Sequence, residues 1–142
     1  MSEEKIISIL LADDDEDDCL LFKDAIRDLP METRLSVVRD GKKLMDLLNK
    51  KRHELPDVVF MDLTMPMKDG FECMSEIRNN DALHHLPVVI LSTHSSQDIV
   101  AQFLLAGADY YVRKPQEFSE LQALIFKSIM FILNRQSDLN KK

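Results

Sequence analysis

Short apolar stretches alternate along the chain with stretches that have helical periodicity. The apolar stretches are Ile6–Ala12, Arg34–Val38, Val58–Met61, Val88–Leu91 and Tyr110–Val112. The second stretch is weaker than the others, because its apolar residues alternate at Leu35 and Val37. Uniformly apolar runs of this length are typical of parallel strands that are covered on both faces. We therefore predict five strands of a parallel sheet.

A predicted helix follows each strand. The helices are expected at Glu16–Leu29, after Asp40–Gly41, after Gly70, from Ser95 to Gly107, and at Phe118–Gln136. Pro30 would end the first helix, and Ser95 would cap the fourth. The apolar positions of the first three helices are Leu20, Leu21, Ala25 and Ile26, then Leu44, Met45, Leu47 and Leu48, then Phe71, Met74 and Ile77. Five β-α units predict an α/β fold with one doubly wound sheet and helices on both faces.

Polar residues follow the predicted strands at the edge where ligands bind in such sheets. Asp13 and Asp14 follow the first strand, Asp62 the third, Ser92 and Thr93 the fourth, and Lys114 the fifth. Ligands of open parallel sheets bind beyond the carboxyl ends of the strands, where the strand order reverses. Clustered carboxylates repel one another unless a divalent cation with a preference for oxygen ligands, such as Mg2+, binds there. A hydroxyl and a lysine beside that metal predict a place for a phosphoryl group.

Composition and charge restrict the class of protein. The 142 residues, with 45% hydrophobic and 30% charged residues, are expected to form one domain, 1–142, with a short polar tail at 137–142. The formal net charge of -7 argues against direct binding to nucleic acid or to an anionic membrane surface. No apolar run reaches the roughly 20 residues of a membrane helix, and the start, MSEEKIIS, does not resemble a signal peptide. Cys19 and Cys73 lack metal-ligand spacing and are expected to be thiols in a reducing cytoplasm.

Four motifs resemble the receiver domain of two-component response regulators. They are LLADDD, VVFMDLTMPMKDGFE, VVILST and AGADYYVRKP, and the resemblance extends from Ile6 to about Leu133. The spacings of 30 residues from Asp62 to Ser92 and 22 from Ser92 to Lys114 match the family. The resemblance implies a flavodoxin-like (βα)5 fold. It also implies a single-domain phosphorelay switch that accepts a phosphoryl group from a histidine kinase or a histidine phosphotransfer protein.

The resemblance implies a metal site at the ends of the first and third strands. Asp14 would ligate Mg2+ or Mn2+ directly, and Asp13 would act mainly through water. Asp62 is the implied phosphoacceptor and a further ligand. The backbone carbonyl of Thr64 would supply another oxygen.

The resemblance also implies the residues of the switch. Ser92, with Thr93 beside it, would follow the phosphoryl group. Lys114 would pair first with Asp62 and then with the phosphoryl oxygens. Tyr111 has the position of the aromatic residue whose rotamer tracks the switch.

Two further features follow from the family pattern. The side chains of Thr64 and His94 would flank the path of the attacking water and tune the lifetime of the phosphoryl group. The bond between Lys114 and Pro115 resembles the family's usual cis peptide, which is realistic only before proline.

Several of these residues also have plainer structural interpretations. Asp15 is better explained as the N-cap of the first helix than as a metal ligand. Asp17 and Asp18 lie in the first turn, where negative charge is favourable to the helix dipole. Thr93 can be purely structural, and Tyr111 can be merely half-buried.

Two other functions compete with the switch. A haloacid-dehalogenase-type phosphatase would use Asp13–Asp15 as its nucleophile motif, but it needs an acidic pair at a further strand end after Lys114. Only Glu117, Glu120 and Asp138 follow, and no strand is predicted there. A flavodoxin would need a phosphate loop rich in Ser, Thr and Gly where six acidic residues stand. An inactive receiver is a third alternative. We expect no enzyme activity beyond Mg2+-dependent self-phosphorylation and dephosphorylation.

The fifth helix has more apolar surface than the sheet can cover. One face holds Leu121, Ile125, Ile129 and Ile132, a second holds Phe126, Met130 and Leu133, and Phe131 lies elsewhere. This apolar arc is about twice the usual 100° stripe. No output domain is expected after this helix. We therefore expect the fourth helix, fifth strand and fifth helix to bind a downstream protein or a second copy of the chain. The stretch also resembles single-domain regulators that pair with phytochrome-type kinases.

Overall fold

Five strands and five helices alternate along the chain, and the computed structural model describes residues 5–94 and 96–140. The strands are β1 (Ile7–Ala12), β2 (Thr33–Val38), β3 (Val58–Met61), β4 (Val88–Ser92) and β5 (Tyr110–Arg113). The helices are α1 (Glu16–Arg27), α2 (Gly41–Lys50), α3 (Gly70–Arg78), α4 (Gln97–Leu105) and α5 (Phe118–Asn140). All strands are parallel, in the order β2-β1-β3-β4-β5. The flavodoxin-like doubly wound fold is therefore confirmed.

The two faces of the sheet bury two separate clusters of apolar side chains. On one face α1 and α5 contribute Phe22 and Ile125. On the other face α2, α3 and α4 contribute Leu44, Met74 and Phe103. Successive residues of a strand point to opposite faces, so a strand between two such clusters is apolar throughout. The strands β3 and β4 are buried along their whole length for this reason.

Only part of the apolar set of α1 is buried. Ala25 and Ile26 are buried as expected, but Leu20 and Leu21 are exposed. Phe22 faces the core instead and packs edge-on against Phe60 of β3, with ring centroids 5.0 Å apart. Because the helix begins at Glu16, the buried side is set by positions 19, 22, 25 and 26, which lie on one face of a 3.6-residue period.

Other differences concern the edges of the fold. Val37 is exposed because β2 is an edge strand, which has a neighbour on one side only. Phe71 lies in the first turn of α3, half-exposed, with its ring edge-on to Phe103 at 5.5 Å. The last helix continues to Asn140 rather than ending at Gln136. Within the described residues no helix, α5 included, has the length and apolarity needed to cross a bilayer.

The cap of α4 differs by one position from the expected one. Ser95, the expected N-cap, lies outside the described residues. Ser96 is the N-cap, and its hydroxyl accepts a hydrogen bond from the backbone N–H of Ile99 at 3.3 Å. A serine hydroxyl in this position satisfies one of the free N–H groups of the first turn.

Gly41 is the point where α2 contacts the loop between β3 and α3. A Cβ atom at this position would lie 2.0 Å from the backbone oxygen of Lys68 and 2.6 Å from its Cβ. The Gly41 N–H also donates to the carbonyl of Pro66 at 3.2 Å. We therefore expect Gly41→Ala to lower the free energy of unfolding by about 2 kcal/mol, as overpacking does. Urea denaturation measures this change.

The control for this substitution is Lys42→Ala, at the exposed neighbouring position of α2. Alanine is a better helix former than glycine by about 1 kcal/mol, so propensity alone predicts the opposite sign at Gly41. A Gly41→Ala protein that is more stable than its parent would show that the loop moves aside without cost.

Candidate functional site

The polar residues expected at the strand ends meet at one edge of the sheet. The strand order reverses between β1 and β3, and Asp13 and Asp62 follow these two strands. Their positions are held by the backbone: the Asp62 N–H donates to Ala12 and the Asp13 N–H to Val38, at 2.9 and 3.1 Å. Lys114 follows β5 and donates its backbone N–H to Ser92, at the end of β4, at 2.8 Å. The site therefore forms where doubly wound folds bind ligands.

The Lys114 side chain lies between three carboxylates. Its Nζ is 2.8 Å from Oδ2 of Asp13, 2.8 Å from Oδ2 of Asp18 and 3.0 Å from Oδ2 of Asp62. An ammonium group has three N–H donors, so each donor has one carboxylate acceptor. Burial lowers the pKa of Lys114, but the hydrogen bonds to Asp13 and Asp18 outweigh this, and the pKa lies above its ordinary 10.5. The Lys114 side chain is therefore protonated and held in position by its three carboxylate partners.

Three carboxylates form a cluster that could hold a metal ion. Carboxylate oxygens of Asp13, Asp14 and Asp62 all lie within 4.8 Å of one another. Asp13 is buried, and this burial raises its pKa above the ordinary 3.8. The backbone N–H of Asp15 donates to Oδ1 of Asp13 at 2.9 Å and so orients this carboxylate. A set of carboxylate oxygens is what Mg2+ and Mn2+ prefer, so the residues present fit such an ion.

The residues of the predicted switch lie beside this cluster. Ser92 is fully buried, and its hydroxyl accepts a hydrogen bond from the backbone N–H of His94 at 3.2 Å. Thr93 and His94 are exposed. The Tyr111 hydroxyl donates to the carbonyl of His94 at 2.7 Å, so Tyr111 is fastened to the loop that joins β4 to α4. Burial raises the pKa of Tyr111, and the charge of Asp62 acts in the same direction, against a lowering by Ser92.

The loop after β3 carries Thr64. Its backbone N–H is 3.4 Å from Oδ1 of Asp62, and its side chain is exposed. The roles of the Thr64 carbonyl as a ligand and of its side chain in the lifetime of the phosphoryl group stay predictions. The expected cis peptide is wrong, because the bond between Lys114 and Pro115 is trans. Trans is the more stable isomer even before proline, and the Lys114 side chain reaches all three carboxylates from it.

Two residues of the site were not predicted. The sequence explains Asp18 by the helix dipole alone, yet in the structure Asp18 is one of the three partners of Lys114. Arg39, which follows β2, donates from Nη2 to the backbone carbonyl of Asp14 at 3.0 Å. Asp15 is the N-cap of α1, as expected, and accepts the N–H of Asp18 at 3.0 Å. The position of Arg39 at a strand end was a signal that could have identified it.

Comparisons with known proteins agree with this geometry. The family model described as response regulator receiver domain matches residues 9–126. Response regulator Rcp1 of Synechocystis sp. is 30% identical over 122 residues, which cover 82% of each chain. The probable methanogenesis regulatory protein FilR2 of Methanothrix harundinacea is 33% identical over 122 residues, 82% of this chain and 77% of that protein.

Solved structures give the same result. The phosphorylated cyanobacterial phytochrome response regulator RcpA superposes with a TM-score of 0.82 and 28% identity, covering 91% of this chain and 95% of that one. The Mn2+-bound form of Rcp1 superposes with a TM-score of 0.76 and 28% identity, covering 84% and 88%.

Proposed function

We propose that this chain, which belongs to the response regulator receiver domain family, is a single-domain switch whose Asp62 accepts a phosphoryl group. The observation that carries the proposal is the contact of 3.0 Å between Lys114 Nζ and Asp62 Oδ2, inside a cluster of carboxylates. A carboxylate paired with a mostly buried ammonium at a strand end is placed to attack phosphorus, with a cation beside the incoming oxygens. The donor would be a phosphohistidine of a kinase or of a phosphotransfer protein.

The residues of the chain would act as follows. One oxygen of Asp62 attacks phosphorus as the P–N bond to the donor imidazole breaks, and the imidazole nitrogen keeps the bonding electrons. Lys114 offers its ammonium to the oxygens of the transferred group. Asp13, Asp14, Asp62 and the carbonyl of Thr64 would hold Mg2+ or Mn2+, which when bound neutralises charge on these oxygens.

Two exposed side chains would tune how long the phosphoryl group lasts. Thr64 and His94 each lie two residues beyond a site residue, Asp62 and Ser92 respectively, and both are open to solvent. They would flank the route of the water that hydrolyses the phosphoryl group.

The loop between β4 and α4 would change its conformation when Asp62 is phosphorylated. Ser92 can turn its hydroxyl toward a phosphoryl oxygen, and this changes the hydrogen bond that it now accepts from His94. Because Tyr111 holds the carbonyl of the same residue, a shift of the loop also moves Tyr111. Two arrangements of this loop would bias the position of α4. Thr93 would take part beside Ser92.

The face formed by α4, β5 and α5 is the proposed contact surface for a downstream protein or a second copy of the chain. Leu104, Leu105 and Phe131 are exposed on it, and Tyr110 stacks against Phe131 with centroids 5.2 Å apart. The net charge of -7 does not favour nucleic acid or an anionic membrane surface as partners. We propose a cytoplasmic location. We also propose a phytochrome-type kinase as donor, because the similar protein RcpA is a cyanobacterial phytochrome response regulator.

Intact-mass spectrometry tests the function. We expect the parent protein, incubated with acetyl phosphate and Mg2+, to gain one phosphoryl group, and Asp62→Asn to gain none. A chelator in place of Mg2+ should prevent the gain. Size-exclusion chromatography of the phosphorylated parent then reports whether a second copy binds.

Either of two results would overturn the proposal. If Asp62→Asn is modified as readily as the parent, Asp62 is not the acceptor. If the folded parent gains nothing from acetyl phosphate and nothing from a phosphorylated kinase, the chain is not a switch. Circular dichroism of both proteins confirms that each is folded.

A further inference from the structure

Asp18 makes a contact that the proposed reaction does not require. Its Oδ2 lies 2.8 Å from Nζ of Lys114, as close as Asp13 and closer than the acceptor Asp62. Asp18 is absent from the carboxylate cluster that could hold a metal ion. Among the three partners of Lys114, it is therefore the one whose charge serves neither the metal nor the acceptor.

The start of α1 explains why the Asp18 carboxylate is free to reach Lys114. A Glu or Gln at this helix position can bond back to the N–H of the N-cap residue and complete a capping box. The N-terminus of α3 does this, with Glu72 accepting the N–H of Asp69. In α1 the N–H of the N-cap Asp15 donates to Asp13 instead. Asp18 therefore turns its carboxylate toward Lys114.

We propose that Asp18 competes with the phosphoryl group for Lys114 and so favours the unphosphorylated state, an inference that rests on the proposed function. All three donors of the ammonium are engaged by carboxylates. A phosphoryl oxygen can gain a direct bond to Lys114 only if one of these contacts lengthens. The contact to Asp62 is released first, because the Asp62 carboxylate loses its charge when it becomes an acyl phosphate. Asp18 keeps its charge and continues to compete with the phosphoryl oxygens for the ammonium.

The negative charge of Asp18 also opposes phosphorylation. Asp13, Asp18 and Asp62 place three carboxylates around one ammonium, and Asp14 clusters with Asp13 and Asp62. A phosphoryl group adds further negative charge to this small volume, and the Asp18 carboxylate repels it through a partly dry environment. Asparagine at this position keeps the shape of the side chain and removes the charge. Asp18→Asn should therefore stabilise the state that carries a phosphoryl group.

Beryllofluoride, a stable mimic of the phosphoryl group, tests this in saturating Mg2+. We expect Asp18→Asn to bind beryllofluoride roughly fivefold more tightly than the parent, measured by fluorine NMR or calorimetry. The matched control is Asp17→Asn, which removes the same charge from an exposed side chain in the same helical turn. The control should bind like the parent, because Asp17 and Asp18 share the helix dipole but only Asp18 contacts Lys114.

The outcomes separate this inference from the proposed function. If the parent and Asp17→Asn bind beryllofluoride but Asp18→Asn binds no more tightly than Asp17→Asn, Asp18 does not compete, and the inference alone fails. Weaker binding by Asp18→Asn would show that Asp18 orients Lys114 for the reaction and would also overturn it. If the folded parent does not bind beryllofluoride, the proposed function fails and the inference fails with it.

Discussion

Replacing Lys114 with methionine should lower the free energy of unfolding by about 3 kcal/mol at pH 7 and slow the phosphorylation of Asp62 by about 100-fold. Methionine retains most of the length of the side chain and removes the charge. It leaves the carboxylates of Asp13, Asp18 and Asp62 without the ammonium that contacts all three. Asp13 is 2% exposed, so water cannot replace the lost partner. Urea denaturation and the rate of phosphoryl gain by mass spectrometry measure the two effects.

The stability loss of Lys114→Met should depend on pH. Burial raises the pKa of Asp13 above 3.8 in the folded protein, and removal of the ammonium raises it further. A carboxyl with a raised folded-state pKa reduces stability as pH rises from the unfolded value through the folded value. The deficit of the variant is therefore full at pH 7 and shrinks as the pH falls toward about 4.

The control for Lys114→Met is Arg113→Met, which removes a positive charge from the exposed neighbouring residue at the end of β5. This control should keep nearly all of the parent's stability, because exposed charges contribute little. If the two variants were equally stable at pH 7, the ammonium would not be compensating the buried carboxylates.

The place of the site was predictable because topology alone determines it. Parallel strands end at one edge of the sheet, so residues far apart in sequence meet wherever polar side chains follow apolar strands. Asp62 and Lys114 are separated by 52 residues and are nevertheless in contact. The family resemblance assigned chemical roles to these residues, which the strand pattern could not do.

The partners of individual side chains were less predictable. An acidic residue in a first helical turn can favour the dipole, complete a capping box or bind a distant cation, and the sequence of α1 permits all three for Asp18. Which of the three Asp18 does depends on the acceptor of the Asp15 N–H. That acceptor is Oδ1 of Asp13, so Asp18 does not complete a capping box. The buried face of α1 was likewise not determined by its apolar positions alone. Leu20 and Leu21 are as apolar as Phe22, and only packing against Phe60 decides which of them is buried.

Arg78 forms a second polar network, at the end of the sheet opposite the site. Its guanidinium donates to the backbone carbonyls of His84, Leu86 and Gly107 and to the Asp109 carboxylate, at 2.7 to 3.0 Å. Asp109 also accepts from Arg135 of α5 and from the backbone N–H that starts β4. Gly107 has φ of +110°, and a Cβ atom there would lie 2.8 Å from Nε of Arg78. The side chains of Arg78 and Asp109 together therefore connect α3, the start of β4, the loop before β5 and α5.

We expect Arg78→Met to lower the free energy of unfolding by about 3 kcal/mol. The substitution leaves three carbonyl groups without the guanidinium donor, and it removes one of the three donors to the Asp109 carboxylate, which is 13% exposed. Burial lowers the pKa of Arg78, and the Asp109 carboxylate beside it acts against this lowering. The positive charge of Arg78 is therefore stabilised by Asp109. Because the network is remote from Asp62, the rate of phosphorylation per folded molecule should not change. Urea denaturation and intact-mass kinetics distinguish the two quantities.

Arg27→Met provides the matched control, because Arg27 also lies in the last turn of a helix and pairs with an aspartate. Its partner Asp24 is 3.3 Å away, and both side chains are about half exposed or more. An exposed pair of this kind contributes less than about 1 kcal/mol, so Arg27→Met should be nearly as stable as the parent. Equal stability of the two variants would mean that water replaces the Arg78 donors in the folded state. Slower phosphorylation of folded Arg78→Met would instead mean that the two ends of the sheet are coupled.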